Sequence, residues 1–421
     1  MAKQRPAPAT AREVIVEIDS LAPGGDAVGR QHGPAGDPGE GRATFVALAA
    51  PGERVRARIE REKPRVAWAE LTAIERAGEA RVAPPCPLFG TCGGCQWQHV
   101  TAEAQREAKH AIVERALGRE IPPVREAGPP FGYRDRVKLA VGPRGTVGFR
   151  ARRSHDVVDL GEAGGCPLLG VGLARVLPAL RRLAGRLAAG VELEAQAGAD
   201  GVHLNVVGAD ANGAAEVRAE VDRLAAAGVV GVALAGKPVW GQGEVNVAEP
   251  GSPALAIPAG GFAQVGRAGN AALVAAVLEA VGPAPGVVQE LYAGSGNFTR
   301  HLVARATGAV HVSDGDPAAV ARGRRNVPEA EWAARPQAVA ADTVVLDPPR
   351  EGADRAHLEA AAKARQRIVY VSCDPQTLGR DARQLRVEGW TLTAAVALDL
   401  MPQTFHVEVV ATFARTRPTS P

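Results

Sequence analysis

Residues 288–297, Val288-Gln289-Glu290-Leu291-Tyr292-Ala293-Gly294-Ser295-Gly296-Asn297, read as a buried strand, a glycine turn and the start of a helix. Gly294 and Gly296 let the backbone approach a ligand closely. The turn lacks the third glycine of a dinucleotide fingerprint, and no lysine follows it to grip a terminal phosphate. The next expected strand ends at Ser313-Asp314. An acid roughly 20 positions after the glycines is where ribose hydroxyls are held. A ribose without phosphates suits S-adenosylmethionine. The plainer alternative is a tight turn followed by a surface aspartate.

Working outward, residues 266–421 alternate between strand and helix. Strands are expected at Val287–Tyr292, Ala309–Ser313, Thr343–Leu346, Arg367–Ser372, Thr391–Leu398 and Val407–Phe413. Helices are expected at Asn297–Ala306, Pro317–Asn326, Ala353–Ala364 and Thr377–Val387. This is the pattern of an α/β domain, a doubly wound Rossmann-like sheet with ligands at the C-terminal strand ends. Residues 1–78 show short strands punctuated by Gly24-Gly25, Gly41 and Pro51-Gly52, the pattern of a small β-barrel. Within it Arg54, Arg56, Arg58, Arg61, Lys63 and Arg65 form a basic stripe, either a solvated sheet face or a nucleic-acid surface. Residues 79–265 read as an α+β central domain, with helices at 101–117, Leu173–Ala189 and Ala214–Ala227.

Three sequence features carry chemistry. Leu346-Asp347-Pro348-Pro349-Arg350 closes a strand with an acid and two prolines, so the chain leaves the sheet in a fixed shape. No aromatic residue follows to stack on a planar amine, which argues against amino-group methylation. The next strand delivers Cys373 to the same edge, just before a helix. A nucleophile is expected there, with a pKa lowered by the helix N-terminus, rather than a buried structural cysteine. Glu408 opens the last strand and is the candidate base, with a pKa raised by desolvation. A thiol and a base beside a methyl donor suit uracil: thiolate addition at carbon 6 makes carbon 5 nucleophilic, and the carbon-5 proton must then be removed.

The remaining cysteines, Cys86, Cys92, Cys95 and Cys166, can hold zinc or an iron–sulfur cluster. The 421 residues are 46% hydrophobic, enough for several cores, and the net charge of +3 is compatible with a nucleic-acid partner without demanding one. The first 12 residues do not read as a signal peptide, and no apolar run is long enough to span a membrane. A cytoplasmic monomer is expected.

Together these motifs resemble the RNA 5-methyluridine methyltransferases that use a cysteine nucleophile. Gly24-Gly25-Asp26-Ala27-Val28-Gly29-Arg30 and Pro51-Gly52-Glu53-Arg54-Val55 are similar to the TRAM RNA-binding module. The spacing of Cys86, Cys92, Cys95 and Cys166 is similar to the family's [4Fe-4S] ligands. Phe262-Ala263-Gln264-Val265 matches its segment whose Gln contacts the cofactor, Leu346–Arg350 and Val371-Ser372-Cys373-Asp374-Pro375 match its catalytic motifs, and His406-Val407-Glu408 matches its general-base motif. The resemblance implies S-adenosylmethionine held by Gln264, Tyr292, Asn297, Asp314 and Asp347, a Cys373 nucleophile and a Glu408 base. It implies an RNA substrate, most similar to ribosomal RNA and otherwise tRNA, presenting a flipped-out uridine. Several positions depart from the family: Gly266, Glu290, Ala293 and Gln403, and a short 327–342 segment with room for a strand and loop but hardly a helix. These departures leave a second reading, an RNA-binding or ribosome-assembly protein with weakened or lost methyltransferase activity.

Overall fold

The computed structural model describes residues 12–33, 39–247 and 252–415, and of Glu162 and Ala163 only the backbone. The stretch 1–11, which carries most of the expectation about a signal peptide, lies outside the described residues. The chain forms two compact units. The first is built from Met1–Gly90, Cys95–Ile112 and Gln403–Phe405, the second from Thr91–Gly94, Val113–Pro402 and His406–Pro421.

In the first unit, β1 (Glu13–Leu21), β2 (Ala27–His32), β3 (Ala43–Ala47), β4 (Arg54–Lys63) and β5 (Val66–Arg76) close into a barrel in the order β1-β2-β3-β5-β4. Alternation along β1 sends Val14, Val16 and Ile18 inward, where they meet Val46, Val55 and Ala69. Trp97 is fully buried against this core and donates its indole N–H to the Gly25 carbonyl at 3.0 Å. The first three arginines of the basic stripe do not form an open cationic surface. Arg54 pairs with Glu17 at 3.1 Å, Arg56 with Glu75 at 3.1 Å, and Arg58 with Glu70. These acids lie on the flanking strands β1 and β5, so the register sets them beside the arginines.

Helix α1 (Ala102–Leu117) runs from the first unit into the second. The second unit contains two large sheets. One is built from β7 (Arg136–Val141), β8 (Val147–Arg150), β9 (Val157–Asp159), β10 (Glu192–Ala197), β11 (Val202–Val207), β12 (Val229–Leu234) and β13 (Lys237–Gly241). Its order is β13-β12-β11-β10-β7-β8-β9. Helix α2 (Val171–Ala184) buries Leu173, Val176, Leu177, Leu180 and Leu183, and ends earlier than the sequence suggests. The single helix expected at 214–227 is two, α3 (Ala211–Ala219) and α4 (Val221–Ala227). Glu220 interrupts them, its carboxylate drawn to Arg186 at 3.0 Å and Arg223 at 2.7 Å. A two-stranded ribbon follows, β14 (Glu244–Val247) and β15 (Leu255–Pro258).

The second large sheet has the order β18-β17-β16-β19-β20-β22-β21-β6. Its strands are β6 (Arg125–Glu126), β16 (Val288–Leu291), β17 (Val310–Ser313), β18 (Glu331–Ala333), β19 (Thr343–Leu346), β20 (Arg367–Ser372), β21 (Trp390–Asp399) and β22 (Glu408–Arg415). The run from β18 to β20 is parallel, and β22 is antiparallel to both its neighbours. Helices α5 (Arg267–Val281), α6 (Thr299–Leu302), α7 (Pro317–Asn326), α8 (Arg355–Ala361) and α9 (Pro375–Val387) complete the Rossmann-like layers. Two apolar clusters, one containing Val344, Leu346 and Tyr370 and the other Val345, Val369 and Val371, cover the two faces. Helix α6 is shorter than the expected Asn297–Ala306; beyond it the chain continues in hydrogen-bonded turns to Ala306. Residues 327–342 hold the short strand β18 and a loop, as their length suggested.

Candidate active site

Parallel register aligns the strand ends. Leu291 sits opposite both Ser313 and Leu346, and Leu346 opposite Tyr370. Tyr292, Asp314 and Asp347 each follow the last residue of a strand, so the chain delivers all three to one edge. They line a cavity of about 360 Å³ together with Gln264, Gly294 and Asn297. The six residues expected to hold the cofactor therefore share one space.

The glycine turn is held from two sides. The Gly294 N–H donates to one oxygen of Asp314 at 2.8 Å, and the other oxygen accepts from the Asp316 N–H at 2.8 Å. Gly296 has φ of +99°, and a Cβ there would sit 3.4 Å from the Trp332 ring. Tyr292 also takes a left-handed φ of +59°, a strained geometry for an aromatic residue and one that clusters at functional sites. Its ring stacks on His357 with centroids 4.1 Å apart, and its hydroxyl accepts from the Asp354 N–H at 3.2 Å. Asn297 and Asn270 exchange side-chain hydrogen bonds at 2.8 and 2.9 Å. Asn270 also lines the cavity, and sequence reasoning missed it. Its signal was a lone amide inside the apolar run of α5.

Beside the cavity lie the thiol and the carboxyl expected to act as nucleophile and base. Ser372 pairs with Val409, so the antiparallel register brings Cys373 toward Glu408. Cys373 is half-buried and Glu408 is 6% exposed. Neither lines the cavity, but Asp347 does, and its charge acts on both. Burial lifts the Glu408 carboxyl well above the usual range; Asp347 adds to the rise and Arg350 opposes it. Asp347 itself is pushed up to about 7 by burial. The thiol departs from the sequence expectation: burial first, then the Glu408 charge, push it up to about 11, with Arg350 opposing. The first N–H groups of α9 are already taken, since Asp374 accepts from Gln376 at 2.8 Å and Thr377 at 3.1 Å. The helix end that was to lower the thiol pKa thus carries an acid of its own.

The loop after Asp347 is anchored from below. The buried Asp381 accepts from the Tyr370 hydroxyl at 2.6 Å and the Ala353 N–H at 3.0 Å. Arg350 reaches His406, with Nη2 3.3 Å from each ring nitrogen. Beneath the glycine turn, Glu290 is 1% exposed and accepts from Thr299 Oγ1 at 2.6 Å. Burial pushes it up to about 8; Thr299 opposes the rise, and Asp347 and Asp314 add to it.

This cavity suits S-adenosylmethionine. Acidic side chains face a ligand with two cationic groups, an acid sits beside the turn for a ribose, and the ribbon supplies an apolar wall through Val247, Leu255 and Ile257.

The four other cysteines form no disulfide and are half-buried. Cys86 and Cys95 belong to the first unit, Cys92 and Cys166 to the second. The Gln98 amide points at the Cys95 sulfur from 3.1 Å and the Gly94 N–H at that of Cys92 from 3.4 Å. Such donors suit thiolate ligands. Among the described residues, however, no group of three or more His, Cys, Asp or Glu is arranged to hold a metal ion.

Comparison with known proteins decides the family. The 23S rRNA (uracil(1939)-C(5))-methyltransferase RlmD of Azoarcus sp. (strain BH72) is 35% identical, over 89% of this chain and 95% of that protein. This chain belongs to the RNA uracil-C5 methyltransferases. It is an S-adenosylmethionine-dependent enzyme that methylates carbon 5 of a uridine in RNA. The RlmD protein of Thiobacillus denitrificans (strain ATCC 25259 / T1) is 33% identical over 95% of this methyltransferase and 99% of its own length. The family profile described as tRNA (Uracil-5-)-methyltransferase matches residues 334–416. Among solved structures, the Pyrococcus abyssi tRNA (uracil-54, C5)-methyltransferase in complex with S-adenosyl-L-homocysteine aligns with a TM-score of 0.75 and 26% identity, covering 95% of this chain and 99% of that one.

Proposed function

We propose that this enzyme methylates a uridine of 23S ribosomal RNA through a covalent adduct between Cys373 and carbon 6. The observation that carries the reading is the register at the end of β20 and the start of β22, which brings a thiol toward a buried carboxyl beside the cavity. S-adenosylmethionine, when bound, supplies an electrophilic methyl group. Gln264, Tyr292, Gly294, Asn297, Asp314 and Asp347 hold it. Cys373 loses its proton to solvent, and the resulting thiolate sulfur adds to carbon 6, sending the ring's π electrons toward the carbon-4 oxygen. Arg350 stabilises the thiolate, as its opposing effect on the thiol pKa implies. Once carbon 5 is methylated, Glu408 takes the carbon-5 proton. The electron pair left behind re-forms the double bond and expels the thiolate. The uridine must leave its stack to expose carbon 6.

Ribosomal RNA is preferred over tRNA because the relatives at 32–35% identity over most of the chain are 23S rRNA enzymes. The barrel of residues 1–78 serves as a TRAM-like RNA-binding module, residues 79–265 as the cysteine-bearing central domain and residues 266–421 as the catalytic domain. Cys86, Cys92, Cys95 and Cys166 hold a [4Fe-4S] cluster of structural role, a reading supported by their spacing and by the N–H donors at two sulfurs. The enzyme works as a cytoplasmic monomer. No described helix is long and apolar enough to cross a membrane.

The test is covalent capture. RNA carrying 5-fluorouridine has no carbon-5 proton to lose, so a complex stable to denaturation is expected with 23S rRNA fragments and not with tRNA. Capture on tRNA alone would transfer the reading to tRNA. Equal capture by a Cys373→Ala variant would overturn the nucleophile. Anaerobically purified protein should be brown and carry about four irons per chain; a colourless protein with stoichiometric zinc would replace the cluster.

A further inference from the structure

The cofactor cavity has one wall that does not belong to the Rossmann-like sheet. The ribbon of β14 and β15 presents Val247, Leu255 and Ile257 to the cavity. A two-stranded ribbon alone is marginally stable, so something must hold this one at a fixed distance from the glycine turn. On the β14 side, the Ala199 N–H bonds the Asn246 carbonyl at 2.8 Å, and the Asn246 side chain bonds Asp200 at 3.0 Å. On the β15 side the neighbour is a single carboxamide. Asn326, the last residue of α7, donates from Nδ2 to the Ala256 carbonyl at 2.9 Å and accepts from the Ala256 N–H on Oδ1 at 3.3 Å. It thereby completes the outer edge of β15 as a neighbouring strand would. The second hydrogen on Nδ2 goes to the Ser295 carbonyl at 2.9 Å, inside the glycine turn. Ser295 lines the cavity, and so do Leu255 and Ile257 on either side of Ala256. One planar amide thus spans the cofactor turn and the apolar wall facing it. Helix α7 ties down the same ribbon a second time, through Arg322 to Glu244 on β14.

We infer that Asn326 is a positioning residue that sets the width of the cofactor cavity by stapling the Gly294-Ser295-Gly296 turn to the β15 wall. Asn326 does not line the cavity and touches no reacting atom. Its work is to satisfy two carbonyls and one N–H at a fixed spacing, which only a side chain carrying both donors and an acceptor in one plane does. Aspartate has the same shape but offers two acceptors, and its oxygens would face the Ser295 and Ala256 carbonyls.

The inference rests on the reading of this cavity as the S-adenosylmethionine site, and the experiment separates the two. Calorimetry with S-adenosylhomocysteine, and steady-state kinetics on RNA, are compared for the wild type, Asn326→Asp and Asn326→Ser. The serine keeps one donor and guards against a variant that fails to fold. The expected result is a rise of about tenfold in the S-adenosylhomocysteine dissociation constant and in the KM for S-adenosylmethionine for the aspartate, from loss of paired buried carbonyls. The serine should rise less. kcat at saturating cofactor and the KM for RNA should stay within about twofold, a split that general loosening of the fold does not give. A folded variant with unchanged cofactor affinity, or one that loses kcat with KM intact, overturns the staple. A wild-type protein that binds no S-adenosylhomocysteine sinks the reading of the cavity itself.

Discussion

On the outer face of the barrel, Arg54, Arg56 and Arg58 each meet a glutamate on a flanking strand. At the edge of the C-terminal sheet, Glu290, Asp347 and Glu408 form no ion pair among the described residues and are lifted by burial. The first arrangement stabilises little: an exposed pair contributes between about 0 and 1 kcal/mol. The second costs more, since each unit of pKa rise is about 1.4 kcal/mol of disfavoured ionisation. A fold does not keep three such acids at one sheet edge, one of them lining the cavity, for stability. The contrast separates charge used for solubility from charge held back for chemistry.

The contrast is tested most severely at the thiol. Cys373→Ala should lower methylation by at least roughly 10⁴-fold, since a nucleophile removed from a cooperative site takes most of the rate with it. RNA affinity should hardly change. Methylation assays with filter binding on the same preparations check both. Retained turnover would mean that the buried acids serve something other than this thiol. Glu408→Gln keeps shape and burial but removes the base. It should slow turnover by roughly 10² to 10³-fold and let the covalent RNA adduct accumulate on ordinary uridine substrate, visible as a shifted band under denaturing conditions. Slow turnover without an accumulated adduct would place Glu408 before thiol addition rather than after it.

Much of this arrangement is readable in the chain. Thr343–Leu346, Arg367–Ser372 and Pro317–Asn326 have the boundaries their sequence suggests, because parallel strands buried on both faces and proline-started helices leave sharp marks. The delivery of Asp347 and Cys373 to one edge follows from the same alternation. What stays hidden depends on register. That Glu17, Glu70 and Glu75 neutralise Arg54, Arg56 and Arg58 requires knowing which strands flank β4. That the thiol is raised requires knowing that Glu408 faces it and that Asp374 occupies the helix end. Asn326 escapes notice because an amide at the end of a polar helix announces nothing until its partners are placed.

Glu290 gives a smaller effect with a defined sign. Below its ordinary value of 4.5 it is protonated in both folded and unfolded chains, and folding gains its full contribution. Between 4.5 and about 8 the unfolded chain ionises while the folded one keeps its proton, so stability falls as pH rises. The slope approaches about 1.4 kcal/mol per pH unit for a single group. Glu290→Gln keeps the bond from Thr299 and removes the titration. Its melting temperature should therefore fall less than that of the wild type between pH 5 and pH 8, by calorimetry. A parallel fall in both proteins would mean that Glu290 is ionised within the fold.

The barrel supplies the smallest expected change, and its smallness is the point. Arg56 and Arg58 are half exposed and each is matched by an acid, so neither presents net charge to a phosphate. Arg56→Ala and Arg58→Ala should each shift stability by less than about 1 kcal/mol. Each should weaken RNA binding less than about threefold and leave the salt dependence of binding unchanged, because a cation already neutralised releases no counterion on contact. Lys63 and Arg65, at the β4–β5 turn, have no ion-pair partner among the described residues and are the internal control. Replacing both should reduce the slope of log affinity against log salt by up to about 2 if this end of the barrel meets RNA. A steep loss of slope on removing Arg56 would show that RNA displaces Glu75 and opens the pair, which would turn the neutral stripe into a masked binding face.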